Sequence, residues 1–332
     1  MHGHHLSVVI FALNIRRLEY ILDLWGLIMK ILIITSSYDF TVDYFIEKFR
    51  VNADFFRFNT DLFGDFLIEV NELRGWSIKF DRWKLEQNQI DSVYYRKPSF
   101  PDMSLYEPKF YKMIQKDLMT MIQGIVETFN GRCLSKPSIL GLAENKVYQL
   151  SVAKEIGFKI PRTLISNTSN AAYAFCSKAK SIIKPLSSGK IYTEGRVGII
   201  QTNMVNNDYD FDGLEISPSY FQEYIRKDYE VRVTIIDNNV FAVKIESSNK
   251  VDWRKSGSKN LYSKIELPQE IETKCFHMLS KLNLKFGAFD FIVNENEYYF
   301  LEINPNGQWY WLEDALDLNI SECIFNYLVG SK

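Results

Sequence analysis

Three oxygen-bearing side chains occur close together near the end of the chain: Asp290, Glu302 and Asn304. They lie in a β-rich run, residues 286–309, that reads FGAFDFIVNENEYYFLEINPNGQW. Glu302 and Asn304 are two residues apart, so the alternation of a strand directs both side chains to one face of a sheet. Magnesium takes a few carboxylate or amide oxygens and completes its shell with water and substrate phosphates. The three residues therefore predict a magnesium site for nucleotide chemistry.

Asp290 can join this face only if the strand pairing opposes residues whose numbers sum to an even value. The sequence predicts an odd-length connection through residues 294–297, such as a bulged three-residue loop. A second interpretation is a hairpin without a metal, because residues 304–307 read NPNG and are all strong turn formers. This run of residues alone leaves both interpretations open.

Basic residues elsewhere in the chain could bind the phosphates that such a metal would serve. Lys184 ends a hydrophobic strand and is followed by a loop of small residues, which include Ser187, Ser188 and Gly189. A loop of this kind lets backbone N–H groups approach phosphate oxygens closely. Lys146 lies early in a predicted helix, where a lysine is ordinarily a solvated surface residue.

Arg232 and Lys244 alternate with apolar residues in two consecutive predicted strands. Both side chains are therefore expected on the polar face of the sheet. If that face lines the metal cleft, several cations surround the phosphates, as the stabilisation of phosphoryl transfer requires.

Composition restricts the partners. The chain of 332 residues has 39 Lys and Arg against 41 Asp and Glu, so no global basic field recruits nucleic acid or an anionic membrane. Its four cysteines are far apart and form no metal-binding pattern, which is typical of reduced cysteines in a cytoplasmic protein. His277 is the one histidine outside the first five residues, which argues against a Cys/His catalytic pair.

The N-terminal segment is predicted to be an extension. Residues 6–13 are apolar but have no positive region before them, so they form neither a good signal peptide nor a membrane span. Met29 begins the β-branched strand MKILIITSS, which is typical of the start of an α/β domain. Residues 1–28, with His2, His4 and His5, are therefore expected to have little functional weight; a docking helix is the alternative.

The rest of the chain predicts an α/β fold class with three domains and no long linker. Residues 29–131 form an N-terminal α/β domain, residues 132–219 a central domain, and residues 220–332 a β-rich C-terminal domain. The predicted elements include one helix from residue 140 to a stop at Gly157, and a hairpin of strands at residues 230–236 and 240–247. The domains are expected to pack around a shared cleft.

An ordered set of motifs resembles the ATP-grasp ligases from Met29 nearly to the end of the chain. The set comprises Lys146, Lys184-Pro185, FQEYI at residues 221–225, EVR at residues 230–232, Asp290 and LEINPNG at residues 301–307. Within that superfamily, the strings YYRKP (residues 94–98), DWR (residues 252–254) and NPNGQW (residues 304–309) resemble the maturases that make graspetides, including the microviridin type. Those enzymes macrocyclise ribosomal precursor peptides.

The resemblance implies a role for each matching residue. Lys146 and Lys184 would grip the phosphates of ATP under the loop of residues 187–189, and Asp290, Glu302 and Asn304 would carry Mg²⁺. Gln222, Glu223 and Ile225 would form the hinge that binds adenine, and Glu230 would bind the ribose. Arg232, Lys244 and Arg254 would neutralise the transferred phosphoryl group. Arg96 is a candidate for nucleotide or substrate contact, with helix capping or an interdomain ion pair as the alternatives.

The reaction that the resemblance implies activates an Asp or Glu side chain of a precursor peptide, consisting of leader and core, as an acyl phosphate. A Ser or Thr hydroxyl or a Lys amine then captures it, which gives an ω-ester or ω-amide. A homodimer is common for the fold. Two competing interpretations stay open: a ligase of the same fold that acts on free amino acids or a protein C-terminus, and a non-catalytic ATP-binding or peptide-docking module.

Overall fold

The computed structural model describes residues 28–187, 189–193, 196–206, 209–255 and 257–330. The predicted extension therefore lies, apart from Ile28, outside the described residues. The chain divides into two compact units, Met1–Leu134 with Leu328–Lys332, and Ser135–Tyr327. The predicted division near residue 219 stays a prediction. In the described ranges, no helix is long and apolar enough to cross a membrane.

The first unit is built on a parallel sheet in the order β2-β1-β6-β7. Its first strand, KILIIT, has five fully buried residues out of six, as expected for a strand covered on both faces. A separate antiparallel sheet in the order β3-β4-β5 follows the second strand. The elements are β1 (Lys30–Thr35), α1 (Phe40–Phe49), β2 (Asp54–Asn59), β3 (Leu67–Asn71), β4 (Gly75–Phe80), β5 (Trp83–Glu86), β6 (Ser92–Tyr95), α2 (Tyr111–Glu127) and β7 (Arg132–Cys133).

The second unit begins with two helices, α3 (Pro137–Ala143) and α4 (Lys146–Ile156). The sequence predicted a single helix here, which is wrong. Asn145 has extended backbone angles and its side chain accepts hydrogen bonds from the backbone N–H groups of Val147 and Tyr148, so it caps a new helix. The predicted stop is confirmed, because Gly157 adopts the left-handed conformation at the end of α4, with φ of 85°.

A four-stranded antiparallel sheet in the order β12-β9-β13-β8 follows. One of its faces is covered by α5, where Ala172 and Phe175 pack with Phe211, Leu214 and Phe221. The elements are β8 (Thr163–Ser166), α5 (Ser169–Cys176), β9 (Ser181–Lys184), β10 (Lys190–Thr193), β11 (Arg196–Ile199), β12 (Asn203–Val205) and β13 (Ser219–Glu223).

The remaining strands form a five-stranded antiparallel sheet in the order β16-β15-β14-β17-β18. One face packs on helix α6, where a Cβ atom on Gly287 would lie 2.6 Å from Leu279 Cδ2. The opposite face carries the polar residues that the sequence singled out. The elements are β14 (Tyr229–Ile236), β15 (Asn239–Ser247), β16 (Asn260–Lys264), α6 (Gln269–Lys281), β17 (Phe286–Asn294), β18 (Glu297–Asn304), α7 (Tyr310–Leu316) and α8 (Ile320–Val329).

The β17–β18 hairpin reaches the predicted pairing by a different route. Its connection is a two-residue turn, with φ of 50° at Glu295 and 63° at Asn296, so the prediction of a three-residue loop is wrong. From the turn to Phe291, the numbers of paired residues sum to an odd value. The register shifts between Asp290 and Phe291, and beyond this shift the sum is even. Leu301 is the extra residue of this β-bulge. The bulge, not the turn, brings Asp290 opposite Glu302.

Candidate functional site

Asp290, Glu302 and Asn304 come together on the polar face of the five-stranded sheet. Asp290 pairs with Glu302, and Ala288 pairs with Asn304, so all three side chains leave the same face. The Asn304 amide donates to Asp290 Oδ2 at 3.2 Å and to Glu302 Oε1 at 3.3 Å. An amide turned about its last bond would present an oxygen instead. Two carboxylates and an amide that contact one another are a set of ligands that suits Mg²⁺.

Cations neutralise both carboxylates. The Arg232 guanidinium donates through Nη1 to both Asp290 oxygens at 2.9 Å, and Arg254 Nη2 donates to Asp290 Oδ2 at 2.7 Å. Lys146 Nζ lies 2.6 Å from Glu302 Oε2. The structure thus brings together six of the predicted residues in one network. Such a network has the charges needed to hold phosphates and a divalent cation.

The electrostatics keep Glu302 ionised. Desolvation by burial opposes its charge, but the positive charges of Lys146, Lys184 and Arg254 outweigh it, and they hold the pKa of Glu302 well below its ordinary value. A carboxylate that stays charged is available as a metal ligand at any physiological pH.

Helix α4 positions both a predicted residue and one that the sequence analysis missed. The Asn145 cap makes Lys146 the first residue of the helix. Gln149, one turn later, is buried and donates to Ile303 O at 2.9 Å, while Ile303 N donates back to its Oε1 at 3.2 Å. Gln149 therefore fixes the backbone between Glu302 and Asn304, as a neighbouring strand would.

A cleft lined by polar and apolar side chains opens beside this network. Eight predicted residues line it: Lys184, Gln222, Glu223, Ile225, Glu230, Arg254, Asp290 and Glu302. They come from strands β9, β13, β14, β17 and β18 and from the segments that follow β13 and β15. The four-stranded and the five-stranded sheet of the second unit therefore share one cleft.

Lys184 and Gln222 contact each other in this cleft. Lys184 Nζ donates to Gln222 Oε1 at 3.2 Å and lies 4.3 Å from the centre of the Tyr220 ring. Desolvation lowers the pKa of Lys184 to about 8, although Glu302 opposes this shift. An anionic ligand in the cleft would restore the full charge of this lysine.

Glu230 and Glu223 each have a basic partner. Glu230 forms a buried ion pair with Lys227. Burial nonetheless raises the pKa of Glu230 to about 7. Glu223 lies 3.5 Å from Arg162 Nε. Both carboxylates face the cleft from positions that a ribose hydroxyl or an amine could reach as hydrogen-bond donors.

The predicted phosphate loop lies beside Lys184. Ser187 and Gly189 line an adjoining cavity together with Lys184, and Ser188 lies outside the described residues. A Cβ atom on Gly189 would lie 2.3 Å from Ile200 O, and Ile200 N donates to Gly189 O at 2.7 Å. This close backbone approach requires glycine.

Lys244 is not part of the network. It pairs with Val231, whereas Arg232 pairs with Val243. Directly opposed residues share a face, so Lys244 lies on the opposite face of the sheet from Arg232. The expectation that both side chains project into the cleft is wrong, and Lys244 instead forms an ion pair with Glu246 at 3.0 Å.

Arg96 lies in the first unit and is 1% exposed. Its Nε donates to Asp39 Oδ2 at 2.8 Å, and Thr35 Oγ1 donates to the same oxygen at 2.8 Å. The Asp39 side chain makes no capping hydrogen bond to α1. These contacts are internal to the unit and link the ends of two parallel strands.

The cleft also has apolar walls that the sequence analysis missed. Ile182, Ile292 and Leu301 line it, together with Trp253. Leu301 does so because it is the bulge residue, and regular alternation would have turned it to the other face. Apolar side chains that line a cleft suit a heteroaromatic ring.

Comparisons with known proteins agree with this geometry. Residues 143–328 match the model of the RimK-like ATP-grasp domain. A RiPP-associated ATP-grasp ligase of Chryseobacterium gregarium, solved with ADP and a leader and core peptide, is 31% identical, with 92% of this chain and 98% of that chain covered and a TM-score of 0.83.

Two macrocyclases of Microcystis aeruginosa MRC are also similar. MdnC, bound with precursor peptide MdnA, is 28% identical, covers 92% of this chain and 100% of its own, and has a TM-score of 0.82. MdnB is 28% identical, covers 91% of this chain and 99% of its own, and has a TM-score of 0.74. No match was found among the curated proteins.

Proposed function

Because this chain belongs to the RimK-like ATP-grasp family and is an ATP-grasp ligase, we propose that it macrocyclises a ribosomal precursor peptide. Asp or Glu side chains of the core are activated as acyl phosphates and captured by a Ser or Thr hydroxyl or a Lys amine. The observation that carries this proposal is the network of Asp290, Glu302 and Asn304 with three cations, in a chain that is similar over its length to peptide ligases.

The residues of the cleft divide the work of binding ATP. Lys146 and Lys184 bind the phosphates, and the backbone at Ser187 and Gly189 covers them. The hinge Gln222–Glu223–Tyr224–Ile225 and the apolar walls hold adenine, and Glu230 accepts from the ribose. Asp290, Glu302 and Asn304 hold Mg²⁺, which offsets charge on the phosphates.

Arg232 and Arg254 act at the reacting centre. Both guanidinium groups already converge on Asp290 and are available to neutralise the phosphoryl group as it moves to the substrate carboxylate. The acyl phosphate carries a good leaving group, so the acceptor attacks its carbonyl carbon and releases phosphate. No nucleophile of the protein takes part.

The peptide substrate is proposed from the peptides bound by the relatives, a leader and core in the C. gregarium ligase and a precursor in MdnC. Within this proposal the enzyme acts in the cytoplasm on a newly made peptide. A homodimer stays a prediction.

The test is the intact mass of each short peptide encoded beside this gene that contains Ser, Thr or Lys together with Asp or Glu, after incubation with the protein, ATP and Mg²⁺. We expect the loss of one water per ring, and no loss with Glu302→Gln. Glu297→Gln is the matched control, because Glu297 lies on the same strand, is exposed, and pairs only with Lys159 in the described part of the chain. An unchanged peptide mass, with ATP consumed only when free amino acids are added, would contradict the proposal.

A further inference from the structure

Three aromatic side chains adjoin the network on the cleft face of the five-stranded sheet. The ring centres of Trp253 and Trp311 are 5.0 Å apart, and that of Tyr262 lies 5.2 Å from Trp311. Arg254 stacks on Trp253 at 5.1 Å and reaches Asp290 at 2.7 Å. One guanidinium therefore separates this aromatic cluster, residues Trp253, Tyr262 and Trp311, from the carboxylate of the metal site.

Tyr262 belongs to β16, which is an edge strand of the sheet. Ser248 N donates to Lys259 O, and Ile265 N donates to Ala242 O. The backbone N–H and C=O groups of the odd-numbered residues of β16 therefore point toward β15. The backbone N–H and C=O groups of three residues therefore point to the open edge: Asn260, Tyr262 and Lys264. In the described part of the chain no strand pairs with them. An unpaired edge is a template for an extended peptide.

The opposite edge of the sheet differs. Lys159 forms a parallel bridge with Tyr299 of β18, and Phe300 N donates to Lys159 O at 2.8 Å. That edge is therefore partly covered by the chain itself. Among the described residues, β16 is the edge that no other segment pairs with.

The segment that carries this edge is basic. Residues 248–264 contain five basic residues, Lys250, Arg254, Lys255, Lys259 and Lys264, against one acid, Asp252. In the described ranges none of its four lysines has a carboxylate partner, whereas Lys146, Lys227 and Lys244 of the same unit each have one. Uncompensated positive charge on an exposed edge attracts an acidic partner.

We propose that the open edge of β16, with the aromatic cluster, docks the acidic core segment of the peptide substrate as an added strand. Side chains of the docked segment contact Trp311 and Tyr262, and the lysines attract its Asp and Glu residues. The carboxylate to be activated is then carried toward Arg254 and Asp290. This inference rests on the proposed function, because each ring that a macrocyclase closes uses one Asp or Glu carboxylate of its substrate.

The binding test uses a fluorescein-labelled peptide of three TEDS repeats, which has no leader, and fluorescence anisotropy. We expect the double variant Lys259→Glu/Lys264→Glu and the variant Trp311→Ala each to weaken binding about tenfold. The matched control is Lys154→Glu/Lys178→Glu, which makes the same change of net charge on exposed lysines elsewhere in the unit that also have no carboxylate partner in the described ranges. A probe with N-methyl groups on alternate residues, which cannot pair with an edge, is expected to bind more weakly than its unmodified form.

Macrocyclisation kinetics separate docking from chemistry. The variants should raise KM for the precursor peptide while the affinity for ATP, measured with the intact protein, stays at the wild-type value. Wild-type KM and wild-type probe affinity in both variants would overturn the inference. So would a wild-type dimer that these variants dissociate, because a second copy would then occupy the edge. If the wild-type protein binds the probe but cyclises no peptide, the proposed function fails and the docking surface does not.

Discussion

Lys146 and Glu302 form an ion pair of 2.6 Å at the edge of the cleft, between the first residue of α4 and the bulged end of β18. In the free site, the lysine proposed to bind phosphate is thus paired with a carboxylate proposed to bind magnesium. When Mg-ATP binds, each group must exchange its partner for a ligand. Both charged groups are thus already held in place in the free site. Binding replaces one charged partner with another, which limits the cost of reorganisation.

The first prediction concerns this ion pair. Lys146→Ala should lower kcat/KM for ATP by about a hundredfold, because a charged hydrogen bond to the phosphates is lost. Lys146→Arg should retain part of the activity, since it keeps the charge but not the geometry. Steady-state ATP turnover at saturating peptide measures both. An Ala variant with wild-type kcat/KM would remove Lys146 from the phosphate site.

The second prediction concerns Gln149. Gln149→Leu keeps the volume but leaves Ile303 N and Ile303 O unpaired inside the protein, so it should lower the free energy of unfolding by about 1–3 kcal/mol. It should also reduce kcat, because the backbone between Glu302 and Asn304 is released. Urea unfolding and ATP turnover test the two effects. Val147→Leu, an exposed position on the same helix, should change neither quantity.

The third prediction concerns Gly307. A Cβ atom there would lie 2.7 Å from Arg232 Nη2 and 2.7 Å from Ala288 Cβ. Gly307→Ala should therefore displace the Arg232 guanidinium from Asp290 and lower kcat by about tenfold or more. Gly141→Ala is the control, because nothing lies within 4 Å of its Cβ position and alanine favours the helix. Equal kcat in the two variants would show that Arg232 tolerates the shift.

The fourth prediction is a pH dependence of nucleotide affinity. The pKa of Lys184 in the free protein is lowered to about 8, so its charge is present below that pH and is lost as the pH rises through it. Because phosphate binds the charged form, the dissociation constant of Mg-ATP should increase about tenfold between about pH 7 and about pH 9. Isothermal titration calorimetry measures it. The Lys184→Arg variant stays charged over this range, so an equal increase of the dissociation constant in that variant would assign the titration to another group.

Glu302 and Asn304 share one face because they are two residues apart in a strand, which the sequence shows directly, whereas Asp290 joins them only through the bulge. The β-bulge at Leu301 was not predictable, since any residue can be the extra one and the alternation of apolar residues does not mark it. The face of Lys244 was also wrong, because alternation within each strand leaves the relative register of two strands undetermined. That register depends on the turn between them.

The division of the predicted helix depended on a single residue. Asparagine is tolerated inside a helix, so the sequence alone does not mark Asn145 as a helix cap. Its capping role follows only from the extended backbone that it adopts. The burial of Gln149 could not be predicted either, because a glutamine on a helix is ordinarily exposed. Its partner is a backbone amide that lies far away in the sequence. Tertiary contacts of this kind leave no local pattern.

The bulge at Leu301 also divides the hairpin into two parts, and each part can accept a substitution or a change of length without disturbing the other. The far part, from Phe291–Phe300 to the turn at Glu295 and Asn296, keeps its own regular pairing and carries none of the residues assigned to metal or phosphate. A change of length or composition in the turn should therefore be absorbed before it reaches Asp290. This turn is a suitable attachment point for a fluorescent reporter or an affinity tag, which would let turnover be followed on a labelled enzyme without altering its chemistry.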